Sequence, residues 1–148
     1  MISIDQIKKL REETGVSVGE CQKAMKEAGG DLEMAKEILR KRSKDFAKKR
    51  IEKEAGQGIV ESYIHPGKKV GAMVELCCES DFVARSEDFQ KLAHELCLQV
   101  AAVSPDEIPL FSQSWIKDES KNIKELIDEY ISKFGENIVI KRFVRYEL

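Results

Sequence analysis

Residues 58–78 read GIVESYIHPGKKVGAMVELCC, and this stretch decides the fold, because the spacing of apolar side chains changes here from helical to alternating. Two runs rich in Val, Ile and Tyr flank His65-Pro66-Gly67-Lys68, which predicts a β-hairpin with Pro66 and Gly67 at the centre of a type II turn. In the second run Val70, Ala72, Val74, Leu76 and Cys78 share one face, and Gly71, Met73, Glu75 and Cys77 share the other. The adjacent Cys77 and Cys78 therefore point to opposite sides of the sheet, a geometry that opposes a shared metal.

Downstream of the hairpin, Phe89, Leu92, Ala93, Leu96, Cys97 and Val100 form a helical stripe. SPDEIPLFSQSWIKDES, residues 104–120, has two prolines and no period, so it reads as a loop carrying Trp115. Another helix is expected from about Lys121 to Phe134, with Ile123, Leu126, Ile127, Tyr130 and Ile131 inward and Gly135 ending it. NIVIKRFVRYEL reads as a closing strand with Ile138, Ile140, Val144 and Tyr146 on one face, interrupted by Arg142. The order β-β-α-α-β is an α+β layer of helices over a small, mostly antiparallel sheet.

Upstream, the first forty residues read as three short helices. Ile4, Ile7 and Leu10 line the first, and Gly15 supplies its left-handed cap. Ser17 and Glu20 have the spacing of a capping box for the second, Val16 can staple onto Cys21, and Val18, Cys21, Met25 and Ala28 form its apolar face. Gly29-Gly30 stops it, Asp31 caps the third, and Met34, Ala35, Ile38 and Leu39 face inward. Three helices in so short a span leave no room for a pocket, which favours a binding module over a reaction vessel. From Arg40 to Lys53 eight basic residues are mixed with Asp45 and Glu52 in good helix formers, read as a solvated connecting helix that ends before Gly56. The expected organisation is a three-helix unit over 1–42, a helical linker over 43–55 and an α+β core over 56–148.

At 148 residues the chain is long enough to bury an apolar interior without metal or disulfide staples. Charged residues at 35% and hydrophobic ones at 42% are a globular balance, and a net charge of −2 argues against broad phosphate-backbone binding. No export signal or transit peptide is visible, and no apolar run approaches the roughly 20 residues that span a bilayer, so a cytoplasmic protein with no membrane partner is expected. Cys21, Cys77, Cys78 and Cys97 follow no disulfide or zinc-ribbon spacing and read as buried or spare thiols.

The sequence contains no Gly-rich phosphate loop, no nucleophile elbow and no HExxH helix. His94 and Cys97 are three apart, yet Cys97 fits the apolar stripe, so no metal is expected. No neighbouring base is evident to make a thiolate of Cys77 or Cys78. A helix-turn-helix reading of the second and third helices, with 40–53 as phosphate clamp, is the alternative; Asp31 and Glu33 would open its recognition helix with the wrong charge.

The segment after the second strand differs in character. Ser80 can cap a short turn Asp81-Phe82-Val83-Ala84, with Asp81 at the positive end of its dipole. Periodicity alone would place Phe82 and Phe89, seven residues apart, on one buried stripe. Ser86-Glu87-Asp88, however, is a fresh helix start, and a kink there would free Phe82.

Three segments together resemble the elongation factor Ts family, guanine-nucleotide exchange factors for the GTPase elongation factor Tu. IKKLREETGVSVGECQKAMKEAGGDLEMAKEILRK is similar to the family's N-terminal ubiquitin-associated (UBA-like) three-helix domain, with its Arg-x-x-Thr-Gly and Cys-x-Lys-Ala elements. VELCCESDFVARSEDF resembles its central motif, with Ser80 in place of a threonine, and GENIVIKRF its closing strand. The resemblance implies a factor without cofactor or covalent chemistry that binds the GDP complex of elongation factor Tu. Ser80, Asp81, Phe82 and Val83 would form the exchange motif, whose Asp-Phe pair enters the GTPase near its magnesium site, displaces the ion and loosens the phosphate loop. Arg11, Thr14, Gly15, Val18 and Gln22 become candidate docking residues. Long family members carry extra core material between the helix after the motif and the closing strand, where this chain has only the loop from Pro105 to Lys117; a short form can complete its core by homodimerising.

Overall fold

The computed structural model describes residues 2–148. The order of elements is α1 (Ile4–Thr14), α2 (Val18–Glu27), α3 (Leu32–Arg50), β1 (Gln57–Ile64), β2 (Val70–Cys78), α4 (Asp81–Ala84), α5 (Glu87–Ala102), β3 (Ser114–Trp115), β4 (Asp118–Asn122), α6 (Ile123–Phe134) and β5 (Ile138–Glu147). The α+β class is borne out. β1, β2 and β5 form one antiparallel sheet in that order, with α5 packed on one face.

Local chemistry starts and stops these elements where the residue types indicate. Ser3 and Gln6 make a reciprocal capping box on α1, and Gly15 ends it at φ 71° with its N–H donating to the Arg11 carbonyl. Ser17 Oγ accepts from Glu20 N to open α2, but the Glu20 carboxylate turns away to Lys23 and Arg42 instead of completing the box. Asp31 accepts from Glu33 N and Met34 N at the start of α3. Asn122 and Glu125 cap α6 reciprocally, and Gly135 closes it at φ 70°.

The buried side chains gather in two clusters. Leu10, Cys21, Ala24, Met25, Ala28, Ala35 and Leu39 form the first, between α1, α2 and the first half of α3. Three apolar residues expected inward there, Ile4, Val18 and Met34, are exposed, because a bundle of three short helices needs only a narrow seam from each. The second cluster lies between the sheet, α5 and α6 and includes the whole expected α5 stripe, with Phe89, Leu92, Ala93, Leu96, Cys97 and Val100 fully enclosed. α3 runs unbroken past the expected end of the third helix, and its second half carries Ala47 into this cluster, while Lys44 meets Glu125 of α6 at 3.2 Å.

Three details depart from expectation. The turn between β1 and β2 places Lys68, not Gly67, in the left-handed region at φ 60°, with Lys68 N donating to the His65 carbonyl at 2.8 Å. The loop around Trp115 contains a short 3-10 turn and the two-stranded β3–β4 hairpin. The β2–β5 register slips between Glu75 and Leu76, so Ile138 and Ile140 pair opposite Cys78 and Leu76 on the core face, whereas Arg142, Val144 and Tyr146 share the outer face. Simple alternation across NIVIKRFVRYEL fails at that bulge. Gly58, opposite Cys77, is required by close approach: a Cβ there would lie 2.2 Å from the Leu76 carbonyl oxygen.

Candidate functional site

The site is built where β2 leaves the sheet. Ser80 has extended dihedrals, φ −117° and ψ 151°, and its Oγ accepts from Val83 N at 3.2 Å, which starts the four-residue α4. Val83 and Ala84 turn into the core, so the opposite side of this single turn must face solvent. Phe82 occupies that side and is 81% exposed. Asp81 is also exposed and pairs with Arg85 one turn on, at 3.0 Å.

Ser86 separates this turn from α5. Its Oγ donates to the Val83 carbonyl at 2.7 Å and accepts from Phe89 N at 3.3 Å, closing α4 and opening α5 in a new direction. Phe89 is therefore enclosed, its ring edge-on to Phe134 with centroids 6.3 Å apart, while Phe82 points outward. The kink, rather than the seven-residue spacing, governs the two phenylalanines.

Beneath the turn lies a polar base. Glu136 Oε1 accepts from Glu79 N at 3.1 Å and Ser80 N at 2.9 Å, and its Oε2 accepts from Ser80 Oγ at 2.6 Å. The Glu79 carboxylate receives two hydrogen bonds from Arg50 at the end of α3, at 3.0 and 2.9 Å, and a third from Asn137 N. Asn137, itself buried, donates through Nδ2 to the carbonyls of Ile51 and Lys53. Arg50, Glu79, Glu136 and Asn137 were absent from the residues singled out by sequence. They stand at positions 50, 79, 136 and 137, and no local spacing signals their meeting; the sequence cues are that Glu136-Asn137 follows a helix-ending glycine and that Glu79, Glu136 and Asn137 fall within two of the segments that resemble the family.

The cysteines near the corner and elsewhere are held as thiols. Cys78 Sγ donates to the Ser80 carbonyl at 3.1 Å, and burial, with Glu136 adding to it, pushes its thiol up to about 11. Burial also raises Cys77 and Cys21 and takes Cys97 to about 12. What the corner presents is an aromatic side chain and a carboxylate on one short, pinned turn.

The second group of candidate residues sits elsewhere. Arg11 is exposed; Thr14 Oγ donates to the Leu10 carbonyl at 2.7 Å and accepts from Val16 N; Gly15 caps α1. Val18 and Gln22 are exposed on α2. Thr14 and Gly15 face a cleft of about 960 Å³ whose far wall includes Trp115, Lys121 and Tyr130. Among the candidate residues only Thr14 and Gly15 line that cleft; Arg11, Val18, Gln22 and the whole Ser80–Val83 turn do not.

The family model described as elongation factor TS matches residues 79–148, beginning at the carboxylate under the turn and running to the last strand. The chain is 37% identical to an elongation factor Ts of Coprothermobacter proteolyticus, covering 99% of this chain and 98% of the relative. Identity is again 37% to those of Thermotoga petrophila and Anaeromyxobacter dehalogenans, with 99% of this chain aligned to 96% and 88% of the relatives. The first of these alignments extends over 193 positions against a chain of 148, so that relative carries at least 45 positions with no counterpart here. With relatives matched over almost their full length and the family's own pattern covering the turn, the Glu79, Glu136 and Asn137 part of its base and the closing strand, the chain belongs to the elongation factor Ts family and so to the elongation factors of protein synthesis.

Proposed function

We infer that this chain is a guanine-nucleotide exchange factor for elongation factor Tu in the cytoplasm, acting without cofactor, covalent chemistry or direct nucleic-acid contact. The observation that carries the reading is Phe82, 81% exposed on a four-residue turn whose other side is anchored in the core. Exposing a large aromatic ring to water forgoes about 1.5–3 kcal/mol of burial, and such a ring on a rigid base is suited to insertion into a partner. In this proposal Asp81 and Phe82 enter the GTPase beside its magnesium site, with Ser80 and Val83 holding the turn. Mg²⁺ bridges nucleotide phosphates to protein oxygens and demands near-ideal octahedral geometry, so a small displacement of its surroundings weakens nucleotide binding without contact to the nucleotide. Reciprocity follows: a factor that weakens GDP binding is itself bound less tightly by the nucleotide complex, and incoming GTP releases it.

The helices of residues 1–42 supply docking through Arg11, Thr14, Gly15, Val18 and Gln22, residues 43–55 connect, and residues 56–148 carry the wedge. A phosphate clamp over 40–53 is disfavoured because Arg40, Arg42, Lys44 and Arg50 are each engaged by a carboxylate of this chain. Release of a fluorescent GDP analogue from elongation factor Tu tests the proposal. The wild-type chain should accelerate release, and Phe82→Ala should lose about 30-fold of that acceleration, the effect of about 2 kcal/mol at an aromatic anchor. No acceleration by the wild type disposes of the exchange activity; full acceleration by the variant disposes of the wedge.

A further inference from the structure

We propose that Glu136 is a positioning residue for the wedge: its carboxylate presets the corner between β2 and α4, so that Phe82 is held outward before any partner arrives. This inference rests on the exchange reading above and adds to it a residue 54 positions away from Phe82 along the chain.

The geometry of the acceptor carries the argument. One carboxylate receives all three donors that the corner offers, Glu79 N, Ser80 N and Ser80 Oγ, each between 2.6 and 3.1 Å. Glu79 N and Ser80 N lie past the end of the β2 ladder at Cys78, so neither has a sheet partner. Donating its proton to Glu136 also orients the Ser80 hydroxyl, leaving a lone pair for Val83 N and so fixing the first turn of α4. Hydrogen bonds to an ionised acceptor are the strong ones, and three on a single residue resist hinge motion at the place where the wedge would swing. Glu136 is held in turn by its neighbours: Gly135 ends α6 before it, and Asn137 after it bonds Glu79 and the carbonyls of Ile51 and Lys53. The corner is thus tied to the end of α3 through Arg50 and Glu79, and the wedge shares its footing with the helix that begins among the N-terminal residues.

Preorganisation of this kind acts on the step after docking. A factor with a loose corner still docks through its other surfaces, but only a fraction of the docked population presents Phe82 in the inserting direction. The loss therefore falls on kcat for nucleotide release and leaves KM for the GDP complex nearly unchanged.

The test uses the full chain with Glu136→Ala, Glu136→Gln and Phe82→Ala in the GDP-release assay, together with amide hydrogen exchange of residues 79–84. Glu136→Ala should lower kcat by about 10- to 100-fold, the scale of a misplaced reacting group, with KM changed by less than about threefold. Glu136→Gln keeps an oxygen for the two backbone donors and should recover part of the loss. Amides of residues 79–84 should exchange faster in Glu136→Ala while the global unfolding midpoint shifts little. Should the alanine variant fail to fold, Ser80→Ala and Glu136→Gln singly and combined carry the test, and a combined loss in kcat smaller than the product of the single losses supports the coupling. Wild-type kcat in Glu136→Ala, a loss confined to KM, or strict multiplicativity of the pair overturns the proposal. Phe82→Ala separates the two readings: its retaining full activity removes the wedge, whereas its inactivity beside an unimpaired Glu136→Ala removes only the positioning role.

Discussion

Phe82 and Phe89 are the same residue type seven positions apart, yet one is exposed and the other fully enclosed. The difference originates in Ser86, whose hydroxyl ends one helix and starts the next. The vicinal cysteines show the opposite relation between prominence and role. Cys77 lies on the outer face and Cys78 on the core face, as alternation requires, and both thiols are raised by burial. A thiol whose ordinary value is near 9 and whose folded value is about 11 carries less thiolate at neutral pH than a free cysteine does. With all four cysteines buried, native protein at pH 7.5 should react with a disulfide thiol reagent far more slowly than free cysteine, and denaturant should release four fast equivalents. Absorbance of the released thiolate checks this, and one fast native equivalent would contradict the burial argument.

At the scale of elements, two features escape pattern reading for related reasons. The bulge in β5 costs a single residue of register, and one residue is enough to move every later side chain to the other face. Arg145 is thereby turned inward, where its guanidinium donates to the Val100 and Ala101 carbonyls at the end of α5. The segment from Ser104 to Ser120 has no period because side chains, with only the short β3–β4 ladder beside them, organise it. Gln99, fully enclosed on α5, donates to Gln113 Oε1 and the Ser114 carbonyl and accepts from Ile116 N, while Gln113 Nε2 donates to the carbonyls of Val103 and Ile108. Replacing Gln99 by Met removes those three hydrogen bonds and leaves Gln113, Ser114 and Ile116 with unmatched groups. Of these only Gln113 is buried, and a buried group left unmatched costs about 1–3 kcal/mol, which for a chain of this size lowers the melting temperature by about 2–12 °C. Calorimetry measures it, and a melting temperature equal to wild type would show that the pair does not hold the segment.

For the whole molecule, the sheet raises the remaining question. α5 covers one face, whereas Val60, Ile64, Met73, Val144 and Tyr146 stand exposed on the other around the Glu75–Arg142 ion pair. An antiparallel sheet can leave one face in water, but that face is ordinarily polar. A second copy of this chain, packing sheet against sheet, would bury these side chains and complete the short core, which is the homodimer proposed for this form. Sedimentation at micromolar concentration should give twice the mass of one chain, and Met73→Lys with Val144→Glu should return it to a single chain; a wild-type monomer would refute the dimer.

How much was legible follows from the range of the forces involved. The hairpin, the α5 stripe, the caps at Ser17, Asp31 and Gly135 and the short turn at Ser80 all depend on residues within a few positions of one another, so spacing and side-chain chemistry alone determined them. The exposure of Phe82 was permitted by a local signal, the helix start at Ser86, and favoured only by family resemblance. Which apolar residues of the three N-terminal helices would be left outside, which face Val144 and Tyr146 would take, and that Arg50, Glu79, Glu136 and Asn137 would meet beneath one turn were decided by tertiary structure alone. Their partners lie tens of residues apart, and a carboxylate acquires its donors only when packing has already brought the chain ends of three elements together.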